Sequence, residues 1–445
     1  MRPPKYFYFL LVVGMFLVYL VSHFFYSIQG RMKYAIFLML SIAFFLLFYS
    51  LFSDRKCWRT IYNAYVHREN TKKRILIFTI FILSNIGHFG YFLGGYVKVP
   101  ELPLNAENIS ISVLFSIISL YLFFKPPKSY TVLMWFSLIW GVILRILIMN
   151  FCPLNYKIAD MLFVIDKACS AFLKGINPYI LRRSFDIYKD WAPLIGYLPF
   201  TWFWYLPSKF LGLDIRFSNL ISNILLFIVL IRLLKIQRKE KIFLYAFINS
   251  LIFVFPPYLY VFAYDEVNLY WLLLILFLWS LKERKFYFSS LIAGLLISIR
   301  RGAIFIIVIS ILYLIKNYSL SKVIKWISLA GVIFILSVLS FVLWDFENFR
   351  YSITFLDVIY PYLDKISLGG WISRIVNLET SIIISLLFPF FVYLWYLGNK
   401  DKSFSLYLKT AIISYLGFLI FFPINHIYYY GPLMLMSIFY IFVCI

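Results

Sequence analysis

Long uncharged apolar runs, separated by short polar punctuation, set the rhythm of this chain. They fall near 6–28, 34–53, 75–97, 109–124 and 131–150, and again near 216–234, 242–262, 267–281, 286–299, 302–315, 326–343, 380–397, 405–423 and 427–445. Each reaches or approaches the roughly 20 helical residues that cross a bilayer, and none shows the period of two of a barrel strand. The pattern predicts an all-α fold, a polytopic transmembrane helical bundle of about 13–15 spans. Two stretches in between read differently. The segment WAPLIGYLPFTWFWYLPSKFLGL at 191–213 holds Pro193, Pro199, Pro207 and Lys209, which predicts a re-entrant or broken helix rather than a full crossing. From Ile158 to Lys174 the residues sort at helical spacing, with Met161, Leu162, Ile165, Cys169, Phe172 and Leu173 on one face. Asp160, Asp166, Lys167, Ser170 and Lys174 share the other. That predicts an outer-face interfacial helix after the fifth span, ended by Gly175 and the turn at Asn177-Pro178.

Composition agrees with the pattern. Of 445 residues, 63% are hydrophobic, 22% aromatic and 14% charged, and the mean hydropathy is +0.88; a soluble domain carries about 25% charge. This excludes a soluble globular protein. The first span has no small-residue cleavage site after it and is expected to stay as an anchor.

Charge then orients the spans. There are 42 Lys and Arg against 19 Asp and Glu, and basic residues in short loops report topology rather than nucleic-acid binding. Placing 54–74 inside, and leaving 191–213 re-entrant, also puts RLLKIQRKEK at 232–241, KERK at 282–285, the lysines at 316, 322 and 325, and NKDK at 399–402 inside. The expected location is the cell membrane, multi-pass, with both termini cytoplasmic. Residues 1–130 read as N-terminal helices, 131–315 as a core with an outer loop at 151–195, and 316–445 as C-terminal helices with an outer loop at 344–379. Cys57, Cys152, Cys169 and Cys444 have no zinc-ligand spacing. Cys152 and Cys169 share a side and could pair, though unpaired thiols are the plainer state.

Ionisable groups at membrane depth are functional candidates, and several gather at the outer edge. Asp160 and Asp166 lie on the interfacial helix, Asp265 and Glu266 between two spans, and Arg300-Arg301 at the end of an apolar hairpin. Arg145 sits near the outer end of its span, and His426 falls outside in FFPINHIYYYGP. Paired guanidiniums suit a phosphate, which they bind bidentately while staying charged. The plainer alternatives are a wetted helix face for Asp160, snorkelling for the arginines and a hydrogen-bonded structural role for His426.

Taken in order, Arg145, Asp160, GINPY at 175–179 and GYLPFTWFWYLP at 196–207 resemble the first outer loop of GT-C glycosyltransferases, especially the polyprenyl-phosphate-mannose-dependent members. The run from FINSLIFVFPPYLY through YDEVNLYWLLLILFLW to AGLLISIRRGAIFI is similar to that family's middle helices. One departure is Arg300-Arg301-Gly302, where the family pattern has a single Lys before a Pro. The resemblance spans roughly residues 135–315.

It implies an inverting transfer of a hexose, mannose first of all, from a polyprenyl-phosphate donor to a lipid or glycan acceptor at the outer face. Asp160 would be the general base, and Arg300, Arg301 and Arg145 would hold the lipid phosphate. Asp166, Asp265 or Glu266 would meet sugar hydroxyls, and His426 would line the cavity. Membrane lipids are the other expected partners, and nucleic acid is not one. No cofactor is indicated, and dependence on a divalent metal stays open. The competing readings are a lipid-linked oligosaccharide flippase or transporter, and a polysaccharide polymerase or ligase using the loop at 344–379.

Overall fold

The computed structural model describes residues 130–151, 154, 161–183, 196–235, 262–300, 302–359, 378–421 and 430–444. Among them 85% are helical and none is in a strand. The expected spans before residue 130 and the one near 242–262, apart from its last residue, lie outside the described residues, as do Asp160, Arg301 and His426.

Among the described residues, helices follow the apolar runs closely. They are α1 (Tyr130–Phe151), α2 (Met161–Leu173), α3 (Pro199–Phe203), α4 (Leu206–Phe210), α5 (Arg216–Lys235), α6 (Asn268–Lys282) and α7 (Phe286–Ile299). After these come α8 (Ala303–Asn317), α9 (Leu320–Trp344), α10 (Phe346–Ile359), α11 (Leu378–Gly398), α12 (Phe404–Phe421) and α13 (Tyr430–Cys444). Of the described helices, α9 is long and apolar enough to cross a membrane, with a mean hydropathy of 2.5. It starts earlier than its apolar core predicts, so Lys322 and Lys325 lie within its first turns rather than in a loop.

Helix ends follow local chemistry. At Gly175 (φ 73°) the N–H of Ile176 reaches Ala171 O at 3.0 Å and that of Gly175 reaches Phe172 O at 2.9 Å, closing α2 with a Schellman motif. Gly212 (φ 69°) closes α4 in the same way through Leu213 N to Ser208 O at 2.9 Å. Asn177 accepts the N–H of Tyr179 on Oδ1 at 3.0 Å and launches a 3₁₀ turn over Pro178–Arg183. From residue 196 onward the expected break is seen: Pro199 and Pro207 sit in the first turns of the five-residue helices α3 and α4, where a missing N–H does no harm.

Two expectations need correction. The apolar face of α2 is not laid on lipid, because Leu162, Ile165, Ala168 and Cys169 are fully enclosed by protein, whereas Leu173 is exposed. The segment 344–379, expected as an outer loop, is not simply a loop: α10 fills its first part, started by Asp345, whose Oδ1 accepts the N–H of Asn348 at 3.0 Å and whose Oδ2 accepts its side-chain amide at 2.6 Å.

The described residues belong to two compact units that interleave along the chain. One draws on Arg59–Asp166 and Pro207–Leu269, the other on Lys167–Leu206 and Tyr270–Ile445. In the larger, α7 and α9 pack with backbones in near contact: a Cβ on Gly294 would stand 2.5 Å from Ala330 O. Ser290, Gly294 and Ser298 recur every four residues along that seam, the small-residue spacing of membrane helix pairs. Ser290 Oγ donates to Trp326 O at 2.5 Å, Trp326 Nε1 donates to Ser289 Oγ at 2.9 Å, and Ser337 Oγ donates to Ser298 Oγ at 2.8 Å. The opposite side of α9 is bare apolar surface, including Ile324, Ile335, Leu336 and Leu343, and α11 exposes Ile383, Phe390 and Phe391.

Candidate functional site

In the smaller unit a polar network runs through an otherwise apolar interior. Arg145, on α1, is completely buried. Its Nη1 donates to Gly141 O and its Nη2 to Asn223 Oδ1, both at 3.0 Å, and its guanidinium carbon lies 5.2 Å from the centre of the Phe262 ring. Asn219 and Asn223 stand one helical turn apart on α5, so both face the same neighbours. Asn223 Nδ2 donates to Asn219 O and to Asn268 Oδ1, each at 2.7 Å. Asn219 Nδ2 reaches Phe262 O and Asp265 O at 3.0 Å, and Asn268 Nδ2 reaches Asp265 O at 3.2 Å. Two amides, those of Asn219 and Asn268, thus pin the backbone at Phe262 and Asp265, with Asn223 bracing Asn268, and Asp265 and Glu266 are each only 2% exposed. The signal for the network was present in the asparagines at 219 and 223 within an apolar run, which a survey of charges passes over.

Arg216 begins α5 beside the network. Its guanidinium holds Asp214 through Nε at 2.9 and 3.1 Å and through Nη2 at 2.5 Å. Nη2 also donates to Met149 O at 3.0 Å, satisfying the open end of α1. Asp166 forms an ion pair with Lys209 at 2.7 Å, both groups partly exposed.

The larger unit brings together GINPY, the LPFTW turn and the end of α7. Tyr179 of GINPY is buried, its hydroxyl donating to Tyr197 O at 2.9 Å and accepting from Trp202 Nε1 at 3.3 Å. Thr201 Oγ1 donates to Ile299 O at 2.9 Å, holding α3 against the end of α7. Arg300 occupies that corner in extended conformation (φ −143°, ψ 123°) and is partly buried, with Gly302 opening α8 two residues later. Ser352 of α10 donates to Tyr179 O at 3.3 Å. Around these bonds Phe172, Trp202, Phe203, Phe341 and Phe349 pack in edge-to-face and tilted pairs, Tyr179 lying 4.9 Å from Phe349. Cys169 is a buried thiol whose Sγ lies 3.4 Å from Trp202 O; Cys152 lies outside the described residues.

Of the residues singled out from the sequence, Arg145 and the Asp265–Glu266 segment are thus joined through asparagines, Asp166 is taken by Lys209, and Arg300 directly follows Ile299, whose carbonyl accepts from Thr201. Among the described residues no three His, Cys, Asp or Glu side chains gather as a metal site. Comparison with protein-family models, with curated proteins and with solved structures finds no match for this chain.

Proposed function

We propose that this chain is an integral-membrane glycosyltransferase of the GT-C type, moving a hexose from a polyprenyl-phosphate donor to a lipid or glycan acceptor at the outer face. The observation that carries this reading is the convergence just described: GINPY, the LPFTW turn and the Arg300 corner, spread over more than a hundred residues, are bonded into one cluster. The apolar outer walls of α9 and α11 support a bilayer environment, since water would not tolerate such continuous stripes.

On this reading Asp160, directly before α2 in the sequence, takes the proton of the acceptor hydroxyl as its oxygen attacks the anomeric carbon. The bond from that carbon to the phosphate oxygen breaks, and the lipid phosphate leaves with the electron pair. One displacement inverts the configuration. Arg300 and Arg301 would stabilise the departing phosphate by charge. Mannose is the first sugar to try. The site would lie between many membrane spans, with both chain termini in the cytoplasm.

A second reading, a lipid-linked glycan transporter, gains from the buried Arg145, Arg216, Asp265 and Glu266. One assay separates the two: transfer of radiolabelled sugar from polyprenyl-phosphate mannose or glucose in membranes carrying the intact chain, beside Asp160→Asn at equal expression. Loss of the base should lower transfer at least about 100-fold. Transfer at the full rate would remove Asp160 from the mechanism, and no transfer from any donor would leave transport as the reading to pursue.

A further inference from the structure

Three connections meet at one end of the larger unit: 283–285 between α6 and α7, 318–319 between α8 and α9, and 399–403 between α11 and α12. The rings of Phe286 and Tyr318 are 5.9 Å apart, Asn317 Nδ2 donates to Lys402 O at 3.2 Å, and Lys316 Nζ donates to Asn399 O at 2.5 Å and to Tyr396 O. Lys316 is thereby a staple holding two connections together. The segments 282–286, 316–325 and 399–402 carry eight Lys and Arg against Glu283 and Asp401. Asp401 already accepts from Ser403 N at 2.7 Å and Ser403 Oγ at 3.0 Å, and Glu283 lies 3.9 Å from Lys282. Arg284, Lys285, Lys322, Lys325, Lys400 and Lys402 are exposed.

The apolar wall begins where these cations end. Leu320, Ile324 and Ile327 are exposed between and beside Lys322 and Lys325; Tyr287 and Phe288 follow Lys285; Leu394 and Leu397 precede Lys400. A soluble polyanion would be offered hydrocarbon that it cannot cover. A lipid presents both parts of the match, acyl chains against the wall and a phosphodiester at the cationic rim. We propose that this end of the larger unit binds the headgroups of anionic phospholipids, retaining them in preference to zwitterionic ones. The inference rests on the membrane part of the proposed function and is independent of the transfer chemistry.

The test is made on the full chain, exchanged into mixed micelles with equimolar phosphatidylglycerol and phosphatidylcholine, repurified, and its retained lipid quantified by mass spectrometry. Retained lipid should be enriched in phosphatidylglycerol at least about tenfold, with the enrichment falling towards parity in high salt. The combined variant Lys322→Gln, Lys325→Gln, Lys400→Gln, Lys402→Gln should lose most of that preference, while Arg350→Gln, an exposed cation on α10, should keep it. Equal retention of both lipids by the unmodified chain overturns the proposal, and so does a variant of unchanged melting temperature that retains the preference. Should the variant unfold, the salt series decides alone, and an enrichment indifferent to salt overturns the proposal. Before any exchange, an alkaline carbonate wash tests the membrane reading separately. Release of the chain without detergent would defeat that reading and the proposal together, whereas absent lipid preference in a chain that only detergent extracts defeats the proposal alone.

Discussion

In the smaller unit the helices are joined by amides and a guanidinium, whereas in the larger they are joined by hydroxyls, a glycine seam and stacked rings. Arg145, Asn219, Asn223 and Asn268 form bonds that each require the next, so the arrangement has little room to shift. The α7–α9 seam instead depends on the absence of side chain at Gly294, with serine bonds to either side of it. The first arrangement should fail when a partner is removed, and the second when an atom is added.

The largest effect is therefore expected from Asn223→Leu. It removes the acceptor for Arg145 Nη2 and the donor to Asn268 Oδ1 while leaving both groups buried, and should lower stability by about 3–5 kcal/mol. Unfolding in a graded detergent series would measure this, and a loss below about 1 kcal/mol would mean that the network relaxes freely. Pairing it with Arg145→Met sharpens the point, because two members of one network should lose less together than the sum of their separate losses.

A middling effect is expected at the seam. Gly294→Ala places a methyl 2.5 Å from Ala330 O and 2.7 Å from Ile333 Cβ, both on α9, so the helices must part. That should destabilise by about 1–3 kcal/mol. Gly331→Ala, whose added carbon meets nothing within 4 Å, serves as the control and should be close to neutral. Equal melting temperatures for the two variants would show that the close approach at Gly294 is not tight.

The smallest effect belongs to the cap of α10. Asp345→Ala removes two bonds from Asn348 and should cost about 1 kcal/mol. Those same bonds hold the Asp345 carboxyl below its ordinary value. A lowered value in the folded state means that the contribution is fully present above the unfolded carboxylate value, about 3.9, and is lost as pH falls through the folded one. The gap in melting temperature between wild type and Asp345→Ala should therefore close in acid, and a gap constant down to pH 2 would rule out the cap as its source.

Helix positions were legible because hydrophobic runs and helices obey the same length and spacing rules; the run 286–299 and α7 coincide. Pro199 and Pro207 likewise announced the break between α3 and α4. What the residues could not disclose was which apolar face stays bare and which meets protein, since a bare apolar face and a protein interior take the same side chains. The apolar face of α2 is the example. The asparagine network is illegible in the sequence for a related reason: an amide in an apolar run carries no charge to mark it, and its meaning depends on partners 43 to 78 residues away. Asp345 and Asn348 were visible, but a short amphipathic helix among acidic residues reads as loop until its cap is seen.

The helices of the larger unit differ greatly in length. At 1.5 Å per residue, α7 with 14 residues and α8 with 15 are about 21–22 Å long, while their neighbour α9 with 25 residues is about 37 Å. A hydrocarbon layer about 30 Å thick fits neither. In such a layer α9 must lean, and the surface must dimple over the short pair, lowering the headgroup plane towards the turn that carries Arg300. Hydrophobic mismatch would then make a lipid phosphate reachable there without any side chain having to extend far.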